Sequence, residues 1–181
     1  MIKYVEIVRD IARRTSEMYQ EFSPDAKPVH FFADNYVQVG RELSIRGKSA
    51  AGGKAKYPAI LLFTDVVPER SDALKQWDVE ASIHIMVVDN AADGSGDMKR
   101  EKVYYPILYP IYECFQKAIR RHPRIFTKGD ALKFEKQDKY DLVAVIGKNH
   151  LFPDRLDGID IRNLKLKIKE ESCFTNKNTI T

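Results

Sequence analysis

The sequence predicts an α+β domain: one mostly antiparallel sheet with an N-terminal helix and a second long helix packed on it. Three observations predict this. Residues 2–20 carry apolar side chains at helical spacing. Segments 58–66 and 77–89 read as strands. Residues 98–122 return to helical spacing before further strands follow. A chain of 181 residues has the size of one domain, placed at residues 1–174 with a frayed tail at 175–181.

Each element has its own signal. In the first helix Val5, Val8, Ile11 or Ala12, Thr15 and Met18 or Tyr19 share a face, and Ser23-Pro24 should end it. VHFFAD (29–34) is a short strand, and YVQVGREL (36–43) is ambiguous between strand and helix. PAILLFTDV (58–66) is almost continuously apolar, which suits a strand covered on both faces. WDVEASIHIMVVD (77–89) alternates, with Val79, Ala81, Ile83, Ile85 and Val87 inward and Glu80, Ser82 and His84 outward, giving one buried face. The polar loops 46–56 and 66–76 are expected to be mobile in an isolated subunit.

The second helix stripe holds Tyr104, Leu108, Ile111, Phe115 and Ala118. Pro106 and Pro110 interrupt it, so a kink or a late start is expected near Pro110. RIF (124–126) and a pair at 131–136 and 140–146, joined by a charged KQDK turn, read as strands. In GIDIRNLKLKIKE, Ile159 and Ile161 are in one phase and Leu164, Leu166 and Ile168 in the other. A period of two cannot absorb that change, so a bulge or sheet crossing is expected at residues 161–164.

Composition narrows the function classes. Charged residues make up 31% and hydrophobic ones 44%, as in a soluble globular protein, and no apolar run has the length of a membrane span. The net charge of +4, from 30 basic and 26 acidic residues, is spread along the chain and gives little footprint for nucleic acid. Two distant cysteines, Cys114 and Cys173, offer neither a disulfide framework nor a cysteine zinc site.

The chemical motifs fail on inspection. SIRGKSAAGGKAK (44–56) spaces Gly47 and Gly52 as in a P-loop, yet Gly53 and Lys54 stand where lysine and a hydroxyl are needed. The loop also precedes a strand rather than opening a helix, so nucleotide binding and hydrolysis are not expected. DNAADGSGD (89–97) lacks calcium ligands at Ala91 and Arg100. Asp154, Asp157 and Asp160 read as surface carboxylates. His30, His84, His122 and His150 have no ligand spacing, and His84 is placed as solvated or at an interface. No catalytic, cofactor or metal residue is assigned.

The aromatics carry more. Tyr104 and Phe115 fit the core stripe of the second helix, whereas Tyr105, Tyr109 and Tyr112 wrap toward a second face. Tyrosine suits a boundary between apolar and wet surroundings, so a subunit interface and a partly covered core both fit.

In element order and in the stretches YPAILLF, VEASIHIMVVD, YYPILYPIYECFQKAI and LDGIDIRNLKLKI, the chain resembles the phage tail-terminator and tail-completion proteins of the head–tail junction. That resemblance implies a non-enzymatic virion subunit made in the bacterial cytoplasm. It forms a homo-oligomeric ring, a hexamer or dodecamer, that stops the tail tube or joins tail to capsid. Its partners would be neck, tail-tube or portal proteins, with no cofactor, no membrane, and DNA only passing through the lumen. The interface candidates are Tyr105, Tyr109, Tyr112, Lys48, Lys54, Glu69 and Arg70. Two other classes stay open. A nucleic-acid-binding module would use Lys48, Lys54 and Lys56 with Lys165, Lys167 and Lys169, though strand lysines also guard sheet edges. A small hydrolase would have to use dispersed carboxylates.

Overall fold

The computed structural model describes residues 4–48, 56–64, 69–71, 79–126, 132–142, 145–146, 149–150, 152 and 154–169. In chain order the elements begin with α1 (Tyr4–Phe22), β1 (His30–Asp34), α2 (Tyr36–Lys48), β2 (Ala59–Phe63), β3 (Glu69–Ser71) and β4 (Val79–Asn90). A helical run follows: α3 (Gly96–Lys99), a π-helical segment Arg100–Leu108, and α4 (Tyr109–Arg121). The chain continues with β5 (Glu135–Leu142), β6 (Val145–Ile146), β7 (Asn149–His150) and β8 (Leu156–Ile168).

The fold is α+β. Its sheet runs β1–β2–β4–β8–β5, and β3 pairs with the start of β4 beyond the end of β2. Among the described strands only the β1–β2 pair is parallel, and α2 lies in the connection between those two strands, as such a crossover requires. β6 and β7 form a separate two-stranded sheet.

Both faces of the sheet are used. On the first, α1 and α4 cover Ile60 and Leu62 of β2, Ala81 to Val87 of β4 in alternation, and Ile159, Ile161, Leu164, Leu166 and Ile168 of β8. On the second, Val39 and Leu43 of α2 join Phe32, Leu61, Phe63, Met86, Val88 and Leu156. All five β2 residues are buried, as its continuous apolar run implied. β4 was expected to bury one face alone, but Met86 and Val88 are buried on the other where α2 passes.

Segment 36–43 resolves as helix. Asn35 caps it: its Oδ1 accepts from the Gln38 N–H at 3.0 Å and its carbonyl from the Val39 N–H at 3.0 Å. The helix then takes in residues 46–48 of the expected loop. Lys56, at that loop's other end, is also no surface residue: it is 2% exposed, and its Nζ donates to the Leu43 carbonyl at 2.8 Å and pairs with Asp154 at 2.6 Å. Of the second loop, residues 69–71 form β3. Residues 49–55, with Lys54, and 66–68 and 72–76 lie outside the described residues.

The second helix is continuous in path but not in geometry. Pro106 sits within the wider π-helical turns, and α-helical geometry starts late, at Tyr109, with Pro110 in the first turn. Both prolines lack an N–H. Pro106 falls in the shifted ladder, where the Tyr109 N–H bonds to the Tyr104 carbonyl five residues back, and Pro110 falls in a first turn, where no such bond is needed.

The strand pair expected around KQDK is instead one strand. β5 runs through those residues because β8 supplies an antiparallel partner from Glu135↔Arg162 to Lys139↔Gly158. The expected strand at 124–126 reduces to a single bridge, Ile125↔Ile168. The phase change in β8 is a bulge, as expected. Ile85 opposes Ile161 while Ile83 opposes Leu164, so Arg162 and Asn163 together face His84. Asn163 takes φ 54°, a conformation asparagine tolerates better than most residues.

Candidate functional site

Three groups of side chains outside the apolar core were candidates for function. The first lies on the second sheet face beyond α2. His84 of β4 and Asp160 of β8 are both there, with the imidazole Nε2 donating to Asp160 Oδ1 at 2.6 Å. Arg162 Nε donates to the other carboxylate oxygen at 2.8 Å. The Tyr36 hydroxyl, at the start of α2, hydrogen-bonds His84 Nδ1, and its ring stacks on Phe63 with centroids 4.0 Å apart. Since Asp160 accepts at Nε2–H, a neutral imidazole accepts from Tyr36 at Nδ1.

Burial pushes the Asp160 carboxyl up, but His84 and Arg162 outweigh it and hold it below the usual carboxylate range. The chain Tyr36–His84–Asp160–Arg162 orders acceptor, imidazole and hydroxyl as a hydrolytic triad does. Its neighbouring cavity, however, is lined by Glu135, Lys136, Gln137, Asp160 and Arg162, and not by His84 or Tyr36. The arrangement ties α2 to the sheet. Asp160→Asn is expected to lower stability by roughly 2 kcal/mol at neutral pH, the worth of charge-assisted hydrogen bonds. A depressed carboxyl stabilises above its unfolded pKa and loses that contribution as pH falls through the folded value. The gap between parent and variant in urea unfolding should therefore narrow only as pH falls below the usual carboxylate range; a gap that does not depend on pH would remove the ionic explanation.

The second group is ionic and buried. Lys99 is 3% exposed and Asp157 fully buried, with Nζ 3.4 Å from Asp157 Oδ1. Lys99 also pairs with Asp141, whose φ of 50° marks a bulge in β5. The hydrogen bond from Lys99 holds the Asp141 carboxyl below its usual range. Asp157 accepts from the backbone N–H groups of Asp141 at 2.9 Å and Ala92 at 3.3 Å. The reading of Asp157 and Asp160 as surface carboxylates is therefore corrected. The structure sets both on β8 and gives each a cationic partner.

The third group is the aromatic face of the helical run. Tyr104 is buried, as expected, and its hydroxyl donates to the Lys139 carbonyl at 2.6 Å. Tyr109 and Tyr112 turn toward β5. The Tyr109 hydroxyl donates to Asp138 at 2.6 Å, and Lys136 lies 4.9 Å and 5.4 Å from the two ring centroids. Burial, then the bond to Asp138, pushes the Tyr109 phenol up to about 12. These two tyrosines are committed within the subunit. Tyr105 is 60% exposed, its ring 5.8 Å from that of Tyr109. Met18 and Phe22 of α1 and Tyr105, Tyr109, Pro110 and Cys114 line a groove of about 560 Å³ between the helices.

The remaining interface candidates are not gathered there. Lys48 ends α2, on the opposite face of the sheet; Glu69 and Arg70 of β3 stand opposite Ala81 and Glu80; Lys54 lies outside the described residues. The strand lysines sit among neighbours: Lys165 is 4.0 Å from Glu80, and Lys169 lies 5.6 Å from the Phe126 ring centroid. Among the described residues, no helix is long and apolar enough to cross a membrane. No group of three or more His, Cys, Asp or Glu among them is placed to hold a metal ion. No protein-family model matches the chain, and a search of curated proteins finds no relative.

Proposed function

We propose that the protein is a structural subunit of a phage tail or head–tail neck, working as a homo-oligomeric ring that terminates the tail tube or joins tail to capsid. One observation carries this reading beyond the resemblance: among the described residues, the sheet ends in two unlike edges. One is the five-residue β1, and the other is the eight-residue, charge-rich β5. Edge strands can accept a further strand along their outer side. Two different surfaces at opposite ends of one sheet suit a head-to-tail contact, and repeated head-to-tail contacts close into a ring. The polar groups described above act here as internal ties. Imaging of assembled particles tests the reading, with a closed ring of this chain expected at the tail end or neck. Its absence from particles, or its presence as isolated copies, would end it.

A further inference from the structure

We propose that the outer face of α4 is a two-fold contact with a second copy of this chain, the two α4 helices running antiparallel. Tyr109, Glu113, Lys117 and Arg121 follow one another at intervals of four residues, so they form one ridge along α4. All four line the groove between α1 and α4. Glu113, Lys117 and Arg121 are exposed, and among the described residues none of the three makes an ion pair. On α1 the same spacing is used internally, with Arg14 Nε bonded to Asp10 at 2.7 Å. Aromatic surface accompanies the unused charges: Phe22 is 73% exposed and Tyr105 60%, and both line the groove.

The order of the ridge selects the partner. Its N-terminal half holds a tyrosine and an acid, and its C-terminal half holds two cations. A copy laid antiparallel about an axis between Glu113 and Lys117 sets each Glu113 against Lys117 of the other copy. Each Arg121 then comes to the tyrosine end of the other copy, where the exposed Tyr105 and Phe22 rings can receive a guanidinium. A parallel copy would instead set Glu113 against Glu113 and Lys117 against Lys117. Glu21 of α1 adds a second carboxylate to the lining, which then holds two acids and two bases, so two such faces meet without net repulsion. An isologous contact needs only this one surface, and two-fold pairs are the commonest closed assemblies. The proposal does not rest on the ring reading, since it concerns the helical face and not the sheet edges.

Sedimentation equilibrium of the full chain tests it between ~1 μM and ~1 mM, the span of weak specific dimers. The parent is expected to dimerise within that span. Glu113→Lys sets lysine against Lys117 on both sides of the axis, and Lys117→Glu sets carboxylate against Glu113. Each variant alone should dimerise at least about tenfold more weakly, with an unchanged far-UV circular dichroism spectrum. Mixing the two variants one to one should restore the parent's affinity, because every facing pair is again of opposite sign. Rescue of this kind is beyond a variant that merely fails to fold. A parent that stays monomeric throughout would overturn the proposal, and so would weakening that mixing does not repair. Edge-to-edge assembly would respond to neither substitution, so association that both variants leave unchanged would overturn the two-fold contact while leaving the ring reading standing.

Discussion

Deleting Asn163 is expected to abolish cooperative folding, although the residue is exposed and polar. The reason is register. Arg162 and Asn163 together oppose His84, and that extra residue returns Leu164, Leu166 and Ile168 to the face that already buries Ile159 and Ile161. Those three side chains are at most 1% exposed. With one residue fewer, strict alternation would turn them toward the second face and bring Lys165 and Lys167 under the helices. Burial of each aliphatic side chain is worth about 1.5–3 kcal/mol. The loss is then roughly 5–9 kcal/mol, comparable with the whole stability of a domain. Asn163→Gly, by contrast, should fold with an unchanged or slightly higher denaturation midpoint, because glycine takes the positive φ of 54° more easily. A deletion variant that unfolds cooperatively at the parent's midpoint would show that β8 tolerates slippage.

Much of the fold was legible because its apolar pattern is strong. The α1 stripe, the two-sided burial of β2 and the β8 bulge all follow from hydrophobic period. Where the sequence misled, the deciding groups were polar. Residues 36–43 looked equally strand-like because Val37 and Val39 alternate. The cap at Asn35 and the pair Val39 and Leu43, one helical turn apart and both buried, were the readable signals for helix. KQDK looked like a turn because four consecutive polar residues usually are. In β5 they alternate on an edge strand, where Lys136 and Asp138 meet the tyrosines of α4.

The side-chain clusters were less legible still. His84 was placed on the polar face of its strand, which is correct, but a strand face does not reveal what crosses it. Its partners come from β8 and α2, 76 and 48 residues away. The surplus of tyrosines on the second helix was a real signal with two meanings, and the structure divides it. Tyr109 and Tyr112 serve the subunit's own sheet, while Tyr105 stays on the surface. Asp157 could have been suspected from its position between Leu156 and Gly158 at the head of an apolar strand, since a carboxylate there needs a cation. Lys99 gave no sign of being that cation, as one lysine among many on a polar helix start.

Lys99→Met is accordingly expected to be among the most damaging single substitutions outside the apolar core. Methionine keeps most of the buried stem and removes only the charge. What remains is a fully buried Asp157 carboxylate with two backbone N–H donors and no cation in direct contact, Arg155 acting on it only from a distance. Breaking a buried pair from one side typically costs about 3–5 kcal/mol, because the surviving charge is left uncompensated in a medium that solvates it poorly. Asp157→Asn should cost less, because Lys99 keeps its pair with Asp141. The double variant should cost far less than the sum of the two, since neither charge is then stranded. The effect also has a place in the fold. Lys99 closes α3 at the start of the helical run, Asp157 lies near the head of β8, and Asp141 forms the bulge of β5. Loss of the cation should therefore loosen the helix start against the sheet edge, and hydrogen exchange at Arg100–Val103 and Asp141 should accelerate more than at Ile111–Ala118. If the two single losses add in the double variant, the pair is not coupled and the ionic tie between helix and sheet is not what holds this corner.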